Sequence, residues 1–110
     1  MNWNQLSNPA EIATIKENSF KVPQVIFKHS TRCSISSMVK GRLERSGIPA
    51  DIPFHYLDLV QFRNVSNDIA ETFDVQHESP QVLVLKNGTC VYDESHNGIN
   101  MDEILEQATM

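Results

Sequence analysis

Cysteine is scarce in this chain of 110 residues, with only Cys33 and Cys90 present. No C-x-x-C pair and no histidine at ligand spacing accompanies them, so neither a disulfide framework nor a zinc site is expected. Any thiol chemistry is then redox chemistry in a reducing compartment. Clustered Lys and Arg are also missing. A formal net charge of −5 without a basic stripe argues against nucleic acid, whose phosphates need grouped cations, and suits plain solubility. No apolar run is long enough to span a bilayer, and Met1 to Pro9 has neither the basic start nor the apolar stretch of a secretory signal. A cytoplasmic protein with no membrane partner is the expectation. Repeats, low-complexity segments and internal linkers are lacking too, so residues 1–110 read as one domain with one core.

What is present is concentrated between Phe27 and Val39, in the stretch Phe-Lys-His-Ser-Thr-Arg-Cys-Ser-Ile-Ser-Ser-Met-Val. An apolar run from Val22 ends in a polar cluster, and a helical pattern opens at once with Ile35, Met38, Val39 and Leu43. Strand, tight loop and helix follow in that order, which sets Cys33 at the mouth of a helix. There the unpaired backbone N–H groups and the positive dipole end favour a thiolate over a thiol. Arg32 precedes it, and Ser36 stands one turn on, where its hydroxyl is expected to donate a hydrogen bond to the sulfur. A free cysteine is commonly a small buried hydrophobe. Cys33, however, falls among Ser30, Thr31, Arg32, Ser34 and Ser36 rather than inside an apolar run, and this context marks it as a nucleophile.

The rest of the chain reads as scaffold. Ile12 and Ile15 give a first helix to about Glu17, capped by Ser7 or Asn8 with Pro9 in its first turn, and Trp3 reads as a packing anchor ahead of it. Val22 to Lys28 is too apolar for a surface strand and suits a sheet covered on both faces. The helix after Cys33 stops at Gly47 with Pro49 beyond. Phe54 to Val60 is the next strand, and Val65, Ile69, Ala70 and Phe73 form another helix, with Asn64 or Ser66 as cap. Val82 to Leu85 is a strand joined by the hairpin signal Asn87-Gly88 to Cys90-Val91-Tyr92. Met101, Ile104 and Leu105 lie on a last helix starting near Asn100 or Asp102. The order α-β-α-β-α-β-β-α predicts an α/β fold with a central mixed sheet of four strands, parallel crossovers and one antiparallel hairpin, flanked by helices.

That order, with a cysteine after the first core strand and a proline before the hairpin, resembles the thioredoxin fold over nearly the whole chain. The stretches Ser30 to Ser36, Ile69 to Val75 and Ser79 to Gly88 carry the likeness. Within the superfamily, Asn2-Trp3 with Leu6, the Phe-Lys-His-Ser-Thr lead-in and Cys-x-Ile-Ser resemble the YtxJ family, small bacterial proteins regarded as monothiol bacilliredoxins or general stress proteins. The resemblance implies that Cys33 is the nucleophile and that Ser36 occupies the place of a resolving cysteine. It also implies that Pro80 is a cis-proline whose neighbour Ser79 offers its backbone to a bound thiol or peptide. One departure stands out: Ser34 replaces the proline common after the nucleophile. Phe27 stands where thioredoxins carry a buried acid that helps the resolving step, six residues before the nucleophile, and its presence supports the monothiol reading.

The function that follows is thiol–disulfide exchange, in which Cys33 removes a low-molecular-weight thiol from a protein mixed disulfide. The resemblance implies bacillithiol; glutathione remains an alternative co-substrate, and no tightly bound cofactor or metal is expected. S-thiolated proteins would be the partners of a monomer. Competing readings are a cluster-binding monothiol glutaredoxin, for which Cys-Ser-Ile-Ser lacks the Gly-Phe pair of Cys-Gly-Phe-Ser, and a non-catalytic adaptor on the same fold. Arg32, Ser79, Pro80 and Gly98, with Asn97 beside it, are expected to line the substrate site. Cys90 should lie more than about 10 Å from Cys33 at about 3.3 Å per strand residue and so serve packing. His29 and His77 flank the pocket in sequence, with His29 a minor candidate for tuning Cys33.

Overall fold

The strand Gln24–His29 is buried at every position, as a run with too little polar content for solvent requires. In the computed structural model, which describes residues 3–110, it is the middle of the sheet; Asn2, one of the residues carrying the family resemblance, lies outside the described residues. The elements in chain order are β1 (Trp3–Gln5), α1 (Ala10–Asn18), β2 (Gln24–His29), α2 (Ser34–Ser46), β3 (Phe54–Asp58), α3 (Arg63–Phe73), β4 (Gln81–Lys86), β5 (Thr89–Ser95) and α4 (Met101–Thr109), with a short 3-10 turn at His96–Gly98 before α4. The sheet has five strands in the order β1-β3-β2-β4-β5. β1 and β2 both run parallel to β3, whereas β4 is antiparallel to β2 and β5 to β4.

The sheet therefore has one strand more than the four expected. Trp3-Asn4-Gln5 has no apolar alternation to announce it. Pairing of these residues with Phe54, His55 and Tyr56 makes the strand, so tertiary partners override a neutral local sequence. Trp3 is the anchor, stacking on Phe27 at 5.6 Å between ring centroids and meeting Phe54 and Tyr56 edge-on at 6.0 and 5.9 Å.

Side chains alternate along the strands and build two cores. Val25, Phe27, Val82 and Val84 face Val39 and Leu43 of α2 and Met101 and Ile104 of α4. Ile26, Leu57, Leu83 and Leu85 face Ile12 and Ile15 of α1 and Val65, Ile69 and Phe73 of α3. The turn Asn87-Gly88 has positive φ at both residues, 54° and 80°, the backbone a two-residue hairpin needs and that Asn-Gly supplies. Between β2 and β3, His55 and Gln24 share a 2.8 Å hydrogen bond. Because the Gln24 amide nitrogen already donates to the Val22 carbonyl, the His55 Nε2–H is the donor to Gln24 Oε1. Burial pulls the His55 pKa down to about 4, with Glu11 opposing.

Helix boundaries shift by a few residues, since caps compete. Asn8 Oδ1 accepts from the Ala10 N–H at the start of α1, and Asn100 Oδ1 accepts from the Glu103 N–H in α4. α3 begins earlier than Asn64 or Ser66 would dictate and has Phe62 at its N-cap without a side-chain bond. The buried face of α2 also departs from the expected stripe. Ser36, Val39 and Leu43 point inward, whereas Ile35 and Met38 are 38% and 52% exposed.

Candidate active site

β2 and α2 are joined by Ser30, Thr31 and Arg32, and Cys33 is the N-cap of α2, with extended backbone at φ −110°, ψ 120°. Its N–H donates to the Ser30 carbonyl at 3.1 Å, and its own carbonyl accepts the Ser37 N–H at 3.1 Å, opening the helix. The thiol is half-buried and free, at the N-cap of a 13-residue helix, where its side chain makes no capping hydrogen bond. Arg32 is exposed beside it, and the exposed Ile35 and Met38 form an apolar flank.

Ser36 does something other than the expected contact with sulfur. It is fully buried, and its hydroxyl oxygen accepts the Ser30 N–H at 3.0 Å and shares a 2.7 Å hydrogen bond with His29 Nδ1. The hydroxyl thus fastens the first turn of α2 back onto the end of β2, with the loop bearing Cys33 between. The physical reason is the helix's rotation, which turns Ser36 rather than Ile35 toward the sheet. His29 itself stacks on Phe27 at 5.9 Å and tilts against Tyr56 at 5.6 Å. Burial and then Lys40 lower its pKa, with Asp58 and Glu44 opposing, so near neutral pH it is an uncharged imidazole.

The sheet register brings the other half of the site alongside. Lys28 and Gln81 are partners on β2 and β4, so the preceding Pro80 falls opposite His29, whose chain runs on to Cys33. The Ser79–Pro80 peptide bond is cis; Pro80 is buried and Ser79 half-buried. The Pro80 carbonyl accepts the His96 N–H at 3.0 Å. From there the chain turns onto the flank of α2, where Arg42 donates to the carbonyls of Asn97 and Ile99. Gly98 is exposed, and a Cβ there would meet the Glu94 carboxyl carbon at 2.8 Å. Arg42 is nine residues beyond Cys33, about 13 Å along the helix axis at about 1.5 Å per residue. Asn97 and Gly98 thus meet Arg42 and Glu94, directly after the His96 N–H that bonds Pro80.

Cys90 pairs with Leu85 at the turn end of the hairpin and packs against the core of α1 and α3. Cys33 belongs to the opposite face and the opposite end. Burial pushes the Cys90 thiol up to about 11, and its S–H donates to the Tyr92 carbonyl at 3.3 Å, as a packing residue should. Among the described residues no cluster of His, Cys, Asp and Glu could hold a metal ion, and no helix is long and apolar enough to cross a membrane.

This arrangement has relatives. A family model described as monothiol bacilliredoxin BrxC matches residues 4–104. The chain belongs to the monothiol bacilliredoxin family. Its fold is similar to that of a candidate oxidoreductase with a thioredoxin fold, at 31% identity and a TM-score of 0.82, over 99% of this chain and 95% of that one. Thioredoxin from Fasciola hepatica, at 18% identity, matches with a TM-score of 0.71 over 96% of each chain. Thioredoxin O2 from Arabidopsis thaliana, at 16%, gives 0.72 over 96% of this chain and 93% of the other. These last two show the thioredoxin-like fold, and the family match adds thiol redox function.

A further buried polar group lies on β2, one residue before His29. Lys28 is fully buried. Its Nζ donates to the Ser66 carbonyl at 3.2 Å and lies 3.3 Å from His77 Nδ1, which also lies 3.2 Å from the Ser66 hydroxyl. Burial lowers the Lys28 pKa to about 8. Next to it in register, the buried Gln81 donates from Nε2 to the Gln76 carbonyl at 2.9 Å and accepts the Glu78 N–H at Oε1. The signal for Lys28 in the sequence is its place directly after the apolar run Val25–Phe27.

Proposed function

We propose that this bacilliredoxin removes a low-molecular-weight thiol, bacillithiol or glutathione in class, from protein mixed disulfides. The Cys33 thiolate attacks the sulfur of the small thiol; the S–S bond to the protein breaks, the protein sulfur leaves as a thiolate, and a new disulfide joins the small thiol to Cys33. A second small thiolate then attacks the adduct, forms the symmetrical small-molecule disulfide and returns Cys33 as thiolate. Electrons balance, since each step exchanges one disulfide for another. Arg32 and the backbone of Ser79, with Pro80 fixing the loop, would receive the substrate beside the sulfur.

The observation that carries this reading is the occupant of the resolving position: Ser36 is buried and hydrogen-bonded to His29 and Ser30, while Cys90 sits at the far end of the hairpin on the other face. An adduct on Cys33 has no internal thiol to displace it, which suits exchange with a small thiol better than reduction of protein disulfides. The test is intact-mass analysis after parallel exposure to oxidised bacillithiol and oxidised glutathione, followed by transfer assays from a peptide carrying each thiol. One adduct per chain on Cys33, removable by the free thiol, is expected. An unreactive Cys33 would point to the adaptor reading, and an intramolecular disulfide would overturn the monothiol mechanism.

A further inference from the structure

A buried ammonium is costly unless a carboxylate or a full set of hydrogen bonds repays its desolvation. Among the described residues the recorded partners of Lys28 Nζ are both uncharged, a helix carbonyl and an imidazole. As an ammonium, lysine only donates, so the nitrogen of His77 facing it presents a lone pair. His77 is thereby held as the neutral tautomer with its proton on Nε2 and with Nδ1 accepting from both Lys28 and the Ser66 hydroxyl. His77 belongs to the segment 76–80 that leads into Ser79 and Pro80. The same segment is gripped from β4 by Gln81, the register partner of Lys28. Two adjacent buried polar side chains, one from β2 and one from β4, thus hold the same segment, Lys28 through the His77 ring and Gln81 through the Gln76 carbonyl and the Glu78 N–H. An apolar residue at position 28 would fill the core at no electrostatic cost.

We propose that Lys28 is a positioning residue for the exchange reaction: its buried ammonium ties His77, and with it the segment bearing Ser79 and Pro80, to the strand that leads into Cys33. The inference rests on the function proposed above. Lys28 touches no reacting atom; it fixes where the substrate's backbone would be received relative to the sulfur. Protonation of His77 breaks the tie, because an imidazolium has no lone pair to offer and repels the ammonium. Lys28 from β2 and Arg63 from α3 oppose that protonation, and Glu78, itself paired with His96, favours it.

The test combines Lys28→Met, His77→Leu and His77→Gln. In Lys28→Met the KM for an S-thiolated peptide should rise about tenfold, as expected for one lost hydrogen bond from a charged donor, with kcat and the alkylation rate of Cys33 unchanged and the melting temperature no lower. His77→Leu should repeat the rise. His77→Gln, whose amide oxygen can accept from Lys28, should restore the wild-type KM and abolish the increase in KM expected of the wild type on acidification. Amide hydrogen exchange over residues 76–79 of the reduced protein should quicken in Lys28→Met and His77→Leu and stay slow in His77→Gln. Unchanged KM and unchanged exchange in the first two variants would overturn the inference, and so would a Lys28→Met protein that melts lower and loses kcat and KM together, the mark of a merely structural lysine. If the wild type transfers no thiol from any peptide, the proposed reaction fails, and the exchange measurement still decides whether the tie exists.

Discussion

At Ser36 a single hydroxyl holds two groups that would otherwise be stranded in the interior. The Ser30 N–H and His29 Nδ1 both depend on it, and a buried polar group left without a partner costs about 1–3 kcal/mol. Ser36→Ala should lower the unfolding free energy by roughly 2 kcal/mol in denaturant titration, while Cys33 still reacts with iodoacetamide much faster than Cys90. A change of less than about 0.5 kcal/mol would show that water replaces the hydroxyl without loss. The sequence placed Ser36 one turn from Cys33 correctly, but spacing alone says which residues share a helix flank and nothing about what the sheet offers in competition. Here the end of β2 offers an imidazole and an amide, and these take the hydroxyl. Lys28 was hidden for a related reason: a charge within an apolar strand has no periodic signature, and its partners Ser66 and His77 are far away in sequence.

Most elements were legible because their signals are local. A buried apolar run gave β2, Asn87-Gly88 gave the hairpin, Gly47 gave the end of α2 at φ 89°, and Asn100 capped α4. β1 was not legible, being three residues long and held by its neighbour rather than by propensity. Trp3 is the side chain that secures it, covering Phe27, Phe54 and Tyr56 and donating its indole N–H to Glu44 at 2.7 Å, a carboxylate that also receives Lys40. The edge strand, the central strand and α2 are therefore joined through one indole. Trp3→Ala should cost roughly 2–3 kcal/mol, less than a fully buried aromatic because one side is open, read as a shift in the denaturant midpoint at constant slope. A shift below about 1 kcal/mol would show that β1 is a passive edge. The apolar flank of α2 shows the converse error: Ile35 and Met38 fit a helical stripe by count, yet the helix turns them outward beside Cys33.

Across the whole molecule, three histidines are held neutral by burial: His29, His55 and His77 all have lowered pKa values. For His55 the folded value is about 4, against about 6.5 in the unfolded chain. Between these values the unfolded chain binds the extra proton, so its stabilising contribution is complete above pH 6.5 and is lost as the pH falls toward 4. Melting temperature should drop across that window, with roughly 1–3 kcal/mol attached to His55 after allowing for its partial exposure. His55→Gln should flatten that part of the slope, and an unaltered slope would assign the acid sensitivity to the other two histidines. The placement of the two thiols has a consequence of another kind. Because Cys33 and Cys90 occupy opposite faces and opposite ends of the sheet, the chain stores half of a disulfide and can never complete one alone. Under the function proposed above, its regeneration would be bimolecular by construction, first order in free small thiol, and its turnover would follow the size and oxidation state of the surrounding thiol pool rather than any clock inside the fold.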